Sequence, residues 1–201
     1  MRITRADLEA VKYSCLYFHY AKTVPVYLYA YNIYNDNNEW CGCILFGLGA
    51  NKNINTMLNC ISGTLLELQR VALNGKQGHN ATSKAVGMAM REVKKDAVCL
   101  KCLFSYADTE QKHVGIIYQA TNWIYLGERV MNEGSYYEKD GKIFHARSVN
   151  SKYKGRNKKE LGFKNYQGPN KHLYVFPYDK KLRNIFLEKR KQYPKREINN
   201  A

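Results

Sequence analysis

The spacing of apolar positions predicts an alternation of strands and helices along the chain. A first strand is predicted over Val24–Tyr34 and a second over residues 40–50, and a polar turn joins them into a hairpin. A third strand is predicted over Leu65–Leu73, and the almost fully apolar run that ends at Asp108 predicts a buried fourth strand. The residues before the hairpin are expected to form a short helix or coil, and residues 51–64 a loop with a short helix.

Helical spacing occurs in three further segments. Residues Lys84–Lys95 place their apolar side chains on one face, with Thr82 or Ser83 as the N-cap. Residues 112–124 show the same period, and a last amphipathic helix follows the N-cap Asp179. The strings RSVNSKY and KHLYVFPY predict further strands. The order of elements predicts a mixed α/β (α+β) fold, with a central sheet flanked by helices and a basic C-terminal extension packed on it.

Charge divides the chain into two parts. Residues 1–138 carry 14 Lys and Arg against 12 Asp and Glu, whereas residues 139–201 carry 18 against 5. We therefore treat residues 1–138 as a core that carries the chemistry and residues 139–201 as a basic C-terminal region of the same domain. Aromatic residues interleave with these cations, a pattern typical of contact with nucleic-acid phosphates and bases. The alternative is a solvated basic tail. The rings concerned are Tyr153, Phe163, Tyr166, Tyr174, Phe176 and Tyr178.

The sequence has no run of about 18 apolar residues and no apolar N-terminal leader, which predicts a soluble protein of the cytoplasm that does not interact with membranes. Six cysteines include the spacings Cys41-Gly-Cys43 and Cys99-Leu-Lys-Cys102, which raise a zinc hypothesis. Both pairs fall in strand-like runs, and residues three apart on a strand point to opposite faces. Reduced, mostly buried thiols are therefore the favoured interpretation.

The segment from Ser105 to Tyr125 concentrates groups that can move protons, bind metals or stack on a base. Asp108 ends a predicted central strand, at the edge where open α/β sheets place ligands. We expect Asp108 to accept a proton, and its alternative role is to cap the following helix. Tyr118 could donate to a developing anion, or it is a structural tyrosine at the core edge. His113 is a weaker candidate, while Trp123 and Tyr125 either stack on a base or anchor the core.

The polar loop NGKQGHNATS joins a predicted strand to a predicted helix. Free backbone N–H groups at such a junction can bind an anion, which suits a cofactor phosphate. Asn80 and Ser83 are the candidate cofactor-binding residues of this loop.

Several strings together resemble a known family. The element order is similar to that of the GCN5-related N-acetyltransferase fold, and the strings FHYAKTVP, LQRVAL, SYADTEQKHVGIIYQATNWIYLGE and KHLYVFPYDKKLR resemble those of the bacteriophage Mom proteins. The resemblance implies an enzyme that places a carbamoylmethyl group on the exocyclic N6 of adenine in phage DNA. Such a modification shields the genome from host restriction, so double-stranded DNA is the implied partner and the cytoplasm of the bacterial host the implied location.

The same resemblance implies roles for individual residues. His19, Tyr20, Asp108 and Tyr118 match active-site positions, and the resemblance also implies iron bound by these four residues, whose N and O atoms are suitable ligands. Arg70 matches an arginine implicated in DNA binding. The loop 74–83 departs from the Arg/Gln-x-x-Gly-x-Gly/Ala pattern of acetyltransferases, so a coenzyme A-type donor is left open. The full set of candidate DNA-binding residues is Arg70, Lys152, Lys154, Arg156, Lys158, Lys159 and Lys171.

Two other classes of function compete with this one. A nucleic-acid-binding module of similar fold would need the basic region but not the polar groups at Asp108 and Tyr118. An N-acetyltransferase of another amine would need the polar groups, yet a small amine gains nothing from a large positive surface. The oligomeric state stays open.

Overall fold

The computed structural model describes residues 1–49, 51, 53–130 and 135–195. The end of the second predicted strand, at Ala50, and the last six residues of the basic region lie outside these ranges. Within these ranges, the first element is a strand and the last is a helix. The strands are β1 (Arg2–Arg5), β2 (Tyr29–Tyr34), β3 (Trp40–Gly47), β4 (Leu65–Leu73), β5 (Cys102–Asp108), β6 (Ile124–Arg129), β7 (Tyr136–Lys139), β8 (Lys142–His145), β9 (Lys164–Tyr166) and β10 (Lys171–Pro177).

Six helices connect or flank these strands in the described residues. They are α1 (Leu8–Tyr17), α2 (Ile54–Met57), α3 (Ala81–Asp96), α4 (Ile116–Ala120), α5 (Ala146–Lys152) and α6 (Lys180–Glu188). Among the described residues, no helix has the length and apolar character needed to cross a bilayer.

Seven of the strands form one twisted sheet, in the order β1-β2-β3-β4-β5-β10-β6. All neighbours in this sheet are antiparallel except β4 and β5, which run parallel. The crossover between β4 and β5 contains α3, as parallel strands require. β10 comes from the basic region and lies between β5 and β6, so this region does more than pack on the sheet: it supplies a central strand.

Helices cover both faces of the large sheet. α3 packs its Val86, Met90 and Val93 face, as predicted, against a core that also contains Trp123 and Tyr174. On the opposite face, α1 covers one part of the sheet and α6 another, in two separate apolar clusters.

The remaining three strands form a small sheet, in the order β8-β7-β9. Its own apolar centre is Phe163, which is 5% exposed and packs against the rings of Tyr137, Phe144 and Tyr153 at centroid distances of 5.4 to 5.9 Å. Phe163 and the deeply buried Tyr174 are therefore core residues, and the prediction that these rings pack on bases is wrong for both.

The mixed α/β architecture and most of the strands are confirmed, and β4 has the predicted bounds. Asp179 caps α6 as predicted, because its carboxylate accepts a hydrogen bond from Leu182 N at 3.0 Å. The first strand was predicted too long, because its pairing with β3 begins only at Tyr29, opposite Phe46. The edge strand β1 was missed because four residues carry too little pattern.

Three other predictions are wrong at the level of elements. α3 begins at Ala81 with Asn80 as its N-cap, instead of Thr82 or Ser83. The helix predicted over residues 112–124 is reduced to α4, because Asn122 adopts a left-handed conformation (φ 60°) and Trp123 N bonds back to the Tyr118 carbonyl. The string RSVNSKY forms most of α5, where Ala146 and Val149 are buried at helical spacing.

Candidate active site

A cavity of about 340 Å³ opens where β4 and β5 separate. These two strands pair over only three positions, from Leu65 with Cys102 to Glu67 with Phe104. One residue further on, the Leu68 carbonyl accepts a hydrogen bond from Ser105 Oγ at 2.7 Å, where a regular ladder would supply a backbone N–H. A side chain thus satisfies a backbone group that the separation leaves without its ladder partner.

A β-bulge in β4 shapes the floor of this cavity. Leu45 of β3 pairs with Arg70, but the next residue, Phe46, pairs with Leu68, so Gln69 is the extra residue of β4. A bulge redirects side chains locally, and both Gln69 and Arg70 line the cavity. Gln69 Oε1 and Arg70 Nε are buried and have no hydrogen-bond partner among the described residues. Two buried polar atoms beside the cavity are therefore left without a partner among the described residues.

His19 and Tyr20 enter the cavity from the turn after α1. Their rings stack at a centroid distance of 4.4 Å. Burial, followed by the nearby Arg70 cation, lowers the pKa of His19 to about 4, so the ring is neutral at pH 7. His19 Nδ1 accepts a hydrogen bond from Ala21 N at 3.1 Å, and the proton of the neutral ring therefore sits on Nε2.

Asp108 lies at the end of β5, opposite Lys171 of β10 in the strand register. One carboxylate oxygen accepts a hydrogen bond from Glu110 N at 3.1 Å, which holds the turn that follows the strand. Asp108 also interacts with Tyr20. The pKa of Tyr20 is raised mainly by burial, and the charge and hydrogen bond of Asp108 raise it further. The alternative role of Asp108, as a cap of the following helix, is wrong, because the N-cap of α4 is Gly115 and receives no side-chain cap hydrogen bond. Asp108 lies on the cavity wall.

Tyr118 projects from α4 to the bottom of the cavity. Its hydroxyl lies 2.7 Å from Ser105 Oγ, and since Ser105 donates its own proton to the Leu68 carbonyl, Tyr118 is the donor of this pair. Burial raises the pKa of Tyr118 to about 12, so it is a neutral phenol at physiological pH. The start of α4 lies directly against the Tyr174 ring, and only glycine fits at its N-cap: Gly115 adopts φ +75°, and a Cβ there would lie 2.4 Å from that ring.

The structure brings together residues that are about 150 positions apart in the sequence. His19, Tyr20, Asp108 and Tyr118, predicted as the active site, all line this cavity. Two of the predicted DNA contacts, Arg70 and Lys171, line it as well. The sequence analysis missed Ser105 and Gln69, since nothing in a buried strand distinguishes a serine that replaces a ladder bond or a residue that forms a bulge. The weaker candidate His113 also lies on the cavity wall, whereas Trp123 and Tyr125 are buried in the core.

The predicted cofactor residues lie elsewhere. Neither Asn80 nor Ser83 lines the cavity. Asn80 is in the left-handed region (φ 53°), and Ser83 Oγ donates to the Asn80 carbonyl at 2.9 Å, which closes the first turn of α3. A role in cofactor binding stays a prediction for both.

The other predicted DNA contacts form a separate patch on the small sheet. Lys152, Lys154, Arg156 and Lys159 are exposed, and Lys158 is half-buried with its Nζ 3.2 Å from the Tyr153 carbonyl. No acidic residue interrupts this stretch of the sequence. Tyr136 of β7 lies close enough to the cavity to influence the pKa of Tyr20, so the small sheet borders the site. The predicted DNA contacts 152–159 lie at the end of α5 and in the turns between α5 and β9 of that sheet. We call residues 152–159 the basic patch.

The four residues implied to hold iron all line the cavity, and binding of a metal would require a change in their hydrogen bonds or protonation. A metal-bound histidine normally donates its other ring N–H to an acceptor, yet His19 Nδ1 accepts a hydrogen bond and its Nε2 carries a proton. The phenols of Tyr20 and Tyr118 both have raised pKa values. Among the described residues, no group of three His, Cys, Asp or Glu side chains could hold a metal ion. Iron binding stays a prediction. Elemental analysis of the purified protein would measure its iron content.

The cysteines do not form a zinc site in the described part of the chain. All six are free thiols, and four of them are buried. Cys99 is exposed and precedes β5, while Cys102 is buried within it.

Known structures share this architecture. The chain superposes on a protein assigned as a phosphinothricin N-acetyltransferase with a TM-score of 0.53, over 89% of this chain and 99% of the other, at 10% identity. A mutant of the spermidine N-acetyltransferase SpeG from Vibrio cholerae gives a TM-score of 0.53 over 88% and 95% of the two chains, at 7% identity. The seven-stranded sheet with its separated parallel strands therefore has the GCN5-related N-acetyltransferase fold.

The family is shown by sequence. The family model described as the Mom protein family matches residues 1–195, and the chain belongs to this family. A curated relative, the methylcarbamoylase Mom of Escherichia phage Mu, is 26% identical over 110 residues, which cover 55% of this chain. The match spans 44% of that relative, less than half of its length.

Proposed function

We propose that this protein is a phage enzyme that transfers a carbamoylmethyl group to the exocyclic N6 of adenine in DNA. One observation carries the proposal: the five polar residues that match the family's functional positions line a single cavity in the gap between β4 and β5, although they come from four separate segments. Membership of the Mom family and the curated relative from phage Mu support it. The reaction would take place in the bacterial host, where phage DNA is accessible.

The chemistry requires that the adenine leave the base stack. N6 is a weak nucleophile because its lone pair is delocalised into the ring, so a bound base needs a nearby group that accepts the N6 proton. Two carboxylates, Glu67 and Asp108, line the cavity, and Asp108 has that role in the proposal because its carboxylate is the one that acts on Tyr20 through both charge and a hydrogen bond. The bond from N6 to the transferred carbon forms while the bond from that carbon to its carrier breaks; the N6 proton passes to the Asp108 carboxylate, and the carrier departs with the electron pair of the broken bond.

Two neutral donors complete the proposed site. Tyr118 keeps its proton, since its pKa is raised to about 12, so it can give a proton to a departing group but cannot take one from N6. His19, neutral with its proton on Nε2, can donate a hydrogen bond to the carbonyl oxygen of the transferred amide group. The donor molecule is open: the acetyltransferase fold suggests a coenzyme A-type carrier, while the loop 74–83 lacks the usual pattern of such a site.

Double-stranded DNA would contact two positively charged regions. The exposed cations of the basic patch would bind phosphates, and Arg70 and Lys171 would act at the mouth of the cavity itself. Each neutralised phosphate releases condensed counterions, so we expect affinity to fall steeply with salt.

Mass spectrometry of nucleosides tests the proposal. Plasmid DNA from bacteria that express the wild type should contain a heavier deoxyadenosine whose mass increment identifies the transferred group. Asp108→Asn should abolish it, while Glu110→Gln, an exposed carboxylate two residues away, should not. Plasmid DNA that stays unmodified with well-expressed wild type would favour a binding module without chemistry, and full activity of Asp108→Asn would refute the assignment of the base.

A further inference from the structure

The segment from Thr23 to Leu28 presents an apolar edge to solvent. Its even-numbered side chains point outward: Val24 is 37% exposed, Val26 90% and Leu28 52%. Tyr27, by contrast, packs against the apolar cluster under α1 and fixes the segment to the domain. Apolar side chains that the fold keeps exposed are typical of surfaces that bind a partner. We call residues 23–28 the apolar edge.

The apolar edge is attached to the cavity. It follows the cavity-lining residues His19 and Tyr20 by a few positions, and Thr23 Oγ1 lies 3.4 Å from Nη2 of the cavity residue Arg70. Three residues of extended chain span at most about 10 Å, so Val26 lies near the cavity mouth. Val98, which is 82% exposed, does not line the cavity, whereas Ile116 of α4 is 53% exposed and does line it.

The charges around the apolar edge are suited to DNA. The sequence contains no Asp or Glu between Glu9 and Asp36, and Lys22 is exposed directly before the edge. An apolar side chain with the cations Lys22 and Arg70 nearby in the chain or the fold fits the interior of a base stack flanked by phosphates. Proteins that deform DNA often insert apolar side chains between bases, and the branched Val side chain is stiff enough to act in this way.

We propose that Val26 enters the DNA base stack beside the target adenine and fills the space that the adenine leaves when it turns into the cavity. Val24 and Leu28 flank it and cover the neighbouring bases. The inference rests on the proposed function, because it gives the means by which the substrate base reaches Asp108. Extrusion of a base costs a few kcal/mol, which an inserted side chain offsets in part.

Fluorescence of 2-aminopurine measures this step without the chemical reaction. Short duplexes carry 2-aminopurine in place of an adenine that the wild type modifies in plasmid DNA, paired either with thymine or opposite an abasic site. For Val26→Ser we expect roughly tenfold less extrusion of the paired base than for the wild type. The base opposite the abasic site is already unpaired. The extent of its extrusion by the variant should therefore be within about twofold of that by the wild type.

Val98→Ser is the matched control, since Val98 is 82% exposed on a loop away from the cavity and should behave like the wild type on both duplexes. Equal extrusion by Val26→Ser and the wild type on the paired duplex would overturn the inference, as would an equal loss on both duplexes. Failure of the proposed function would show in a separate measurement, because the wild type would then leave no modified deoxyadenosine in plasmid DNA.

Discussion

The cavity and the basic patch differ in the kinds of side chain that they contain. The cavity contains charges of both signs together with neutral donors, on elements that come from distant parts of the sequence. In the basic patch, the charged residues are all cations. They lie within eight consecutive residues, and most of them are exposed. Chemistry requires groups of different pKa at fixed distances, which only a packed scaffold provides, whereas attraction of a polyanion requires charge density and little geometry.

The two regions also differ in what supports them. Buried aromatic side chains, Trp123 and Tyr174, pack against Tyr118 at ring distances of 5.1 Å, so the base of the cavity is part of the main core. The small sheet depends on the cluster around Phe163. A small cluster buries less apolar surface and opens more readily than a large one, so we expect the small sheet to be the less stable region.

The largest effect should come from the bottom of the cavity. Tyr118→Phe keeps the ring contacts but removes the hydroxyl, and we expect modification of DNA to fall about 10²- to 10⁴-fold, the range for loss of a positioned proton donor. DNA affinity, measured by fluorescence anisotropy, should stay within about threefold. Tyr13→Phe is the control, since the Tyr13 hydroxyl makes no hydrogen bond among the described residues and Tyr13 lies on α1, outside the cavity lining and the basic patch. If DNA affinity fell in parallel with activity, the proposed separation of roles between the cavity and the basic patch would be refuted.

The next effect should come from the basic patch. With Lys152, Lys154, Arg156 and Lys159 all changed to Gln, we expect DNA affinity to fall roughly ten- to hundredfold at moderate salt, because up to four phosphate contacts are lost. The slope of log affinity against log salt should decrease by about 0.9 for each contact. Modification at saturating DNA should be unchanged. An unaltered slope would mean that the patch does not contact phosphates.

A smaller effect is expected from the core of the small sheet. Phe163→Leu removes ring contacts without a change in polarity, at a cost of about 1 kcal/mol. Hydrogen exchange followed by mass spectrometry should show faster exchange in β7 and β9 and unchanged protection in β4 and β5. If protection fell equally in both sheets, the two would unfold as one unit.

The smallest effect should come from Lys171, which begins β10 and lies on the cavity wall. Lys171→Gln removes one cation, so we expect about threefold weaker DNA binding. Lys180→Gln, on α6 and away from the cavity lining, is the control. A loss of modification at saturating DNA would instead assign Lys171 to the chemistry.

Much of this fold could be predicted from the sequence where neighbouring residues determine the outcome. β4 and α6 have local causes: an uninterrupted strand pattern in the first, and an Asp179 carboxylate that satisfies a free backbone N–H in the second. The family resemblance identified His19 and Asp108 as belonging to one site. Local pattern failed where a single backbone conformation ended an element, as at Asn122, which shortens α4.

The sequence by itself determined the kinds of groups available, the division of charge and the position of the main strands, because composition and periodicity are properties of neighbouring residues. The tertiary structure decided that β10 enters the sheet beside β5, that β4 and β5 separate after three pairs, and that His19 meets Asp108 and Tyr118 in the gap. These results depend on pairing between residues far apart in the chain. Such pairing is chosen by the packing of the whole core and by the need to satisfy every buried backbone group.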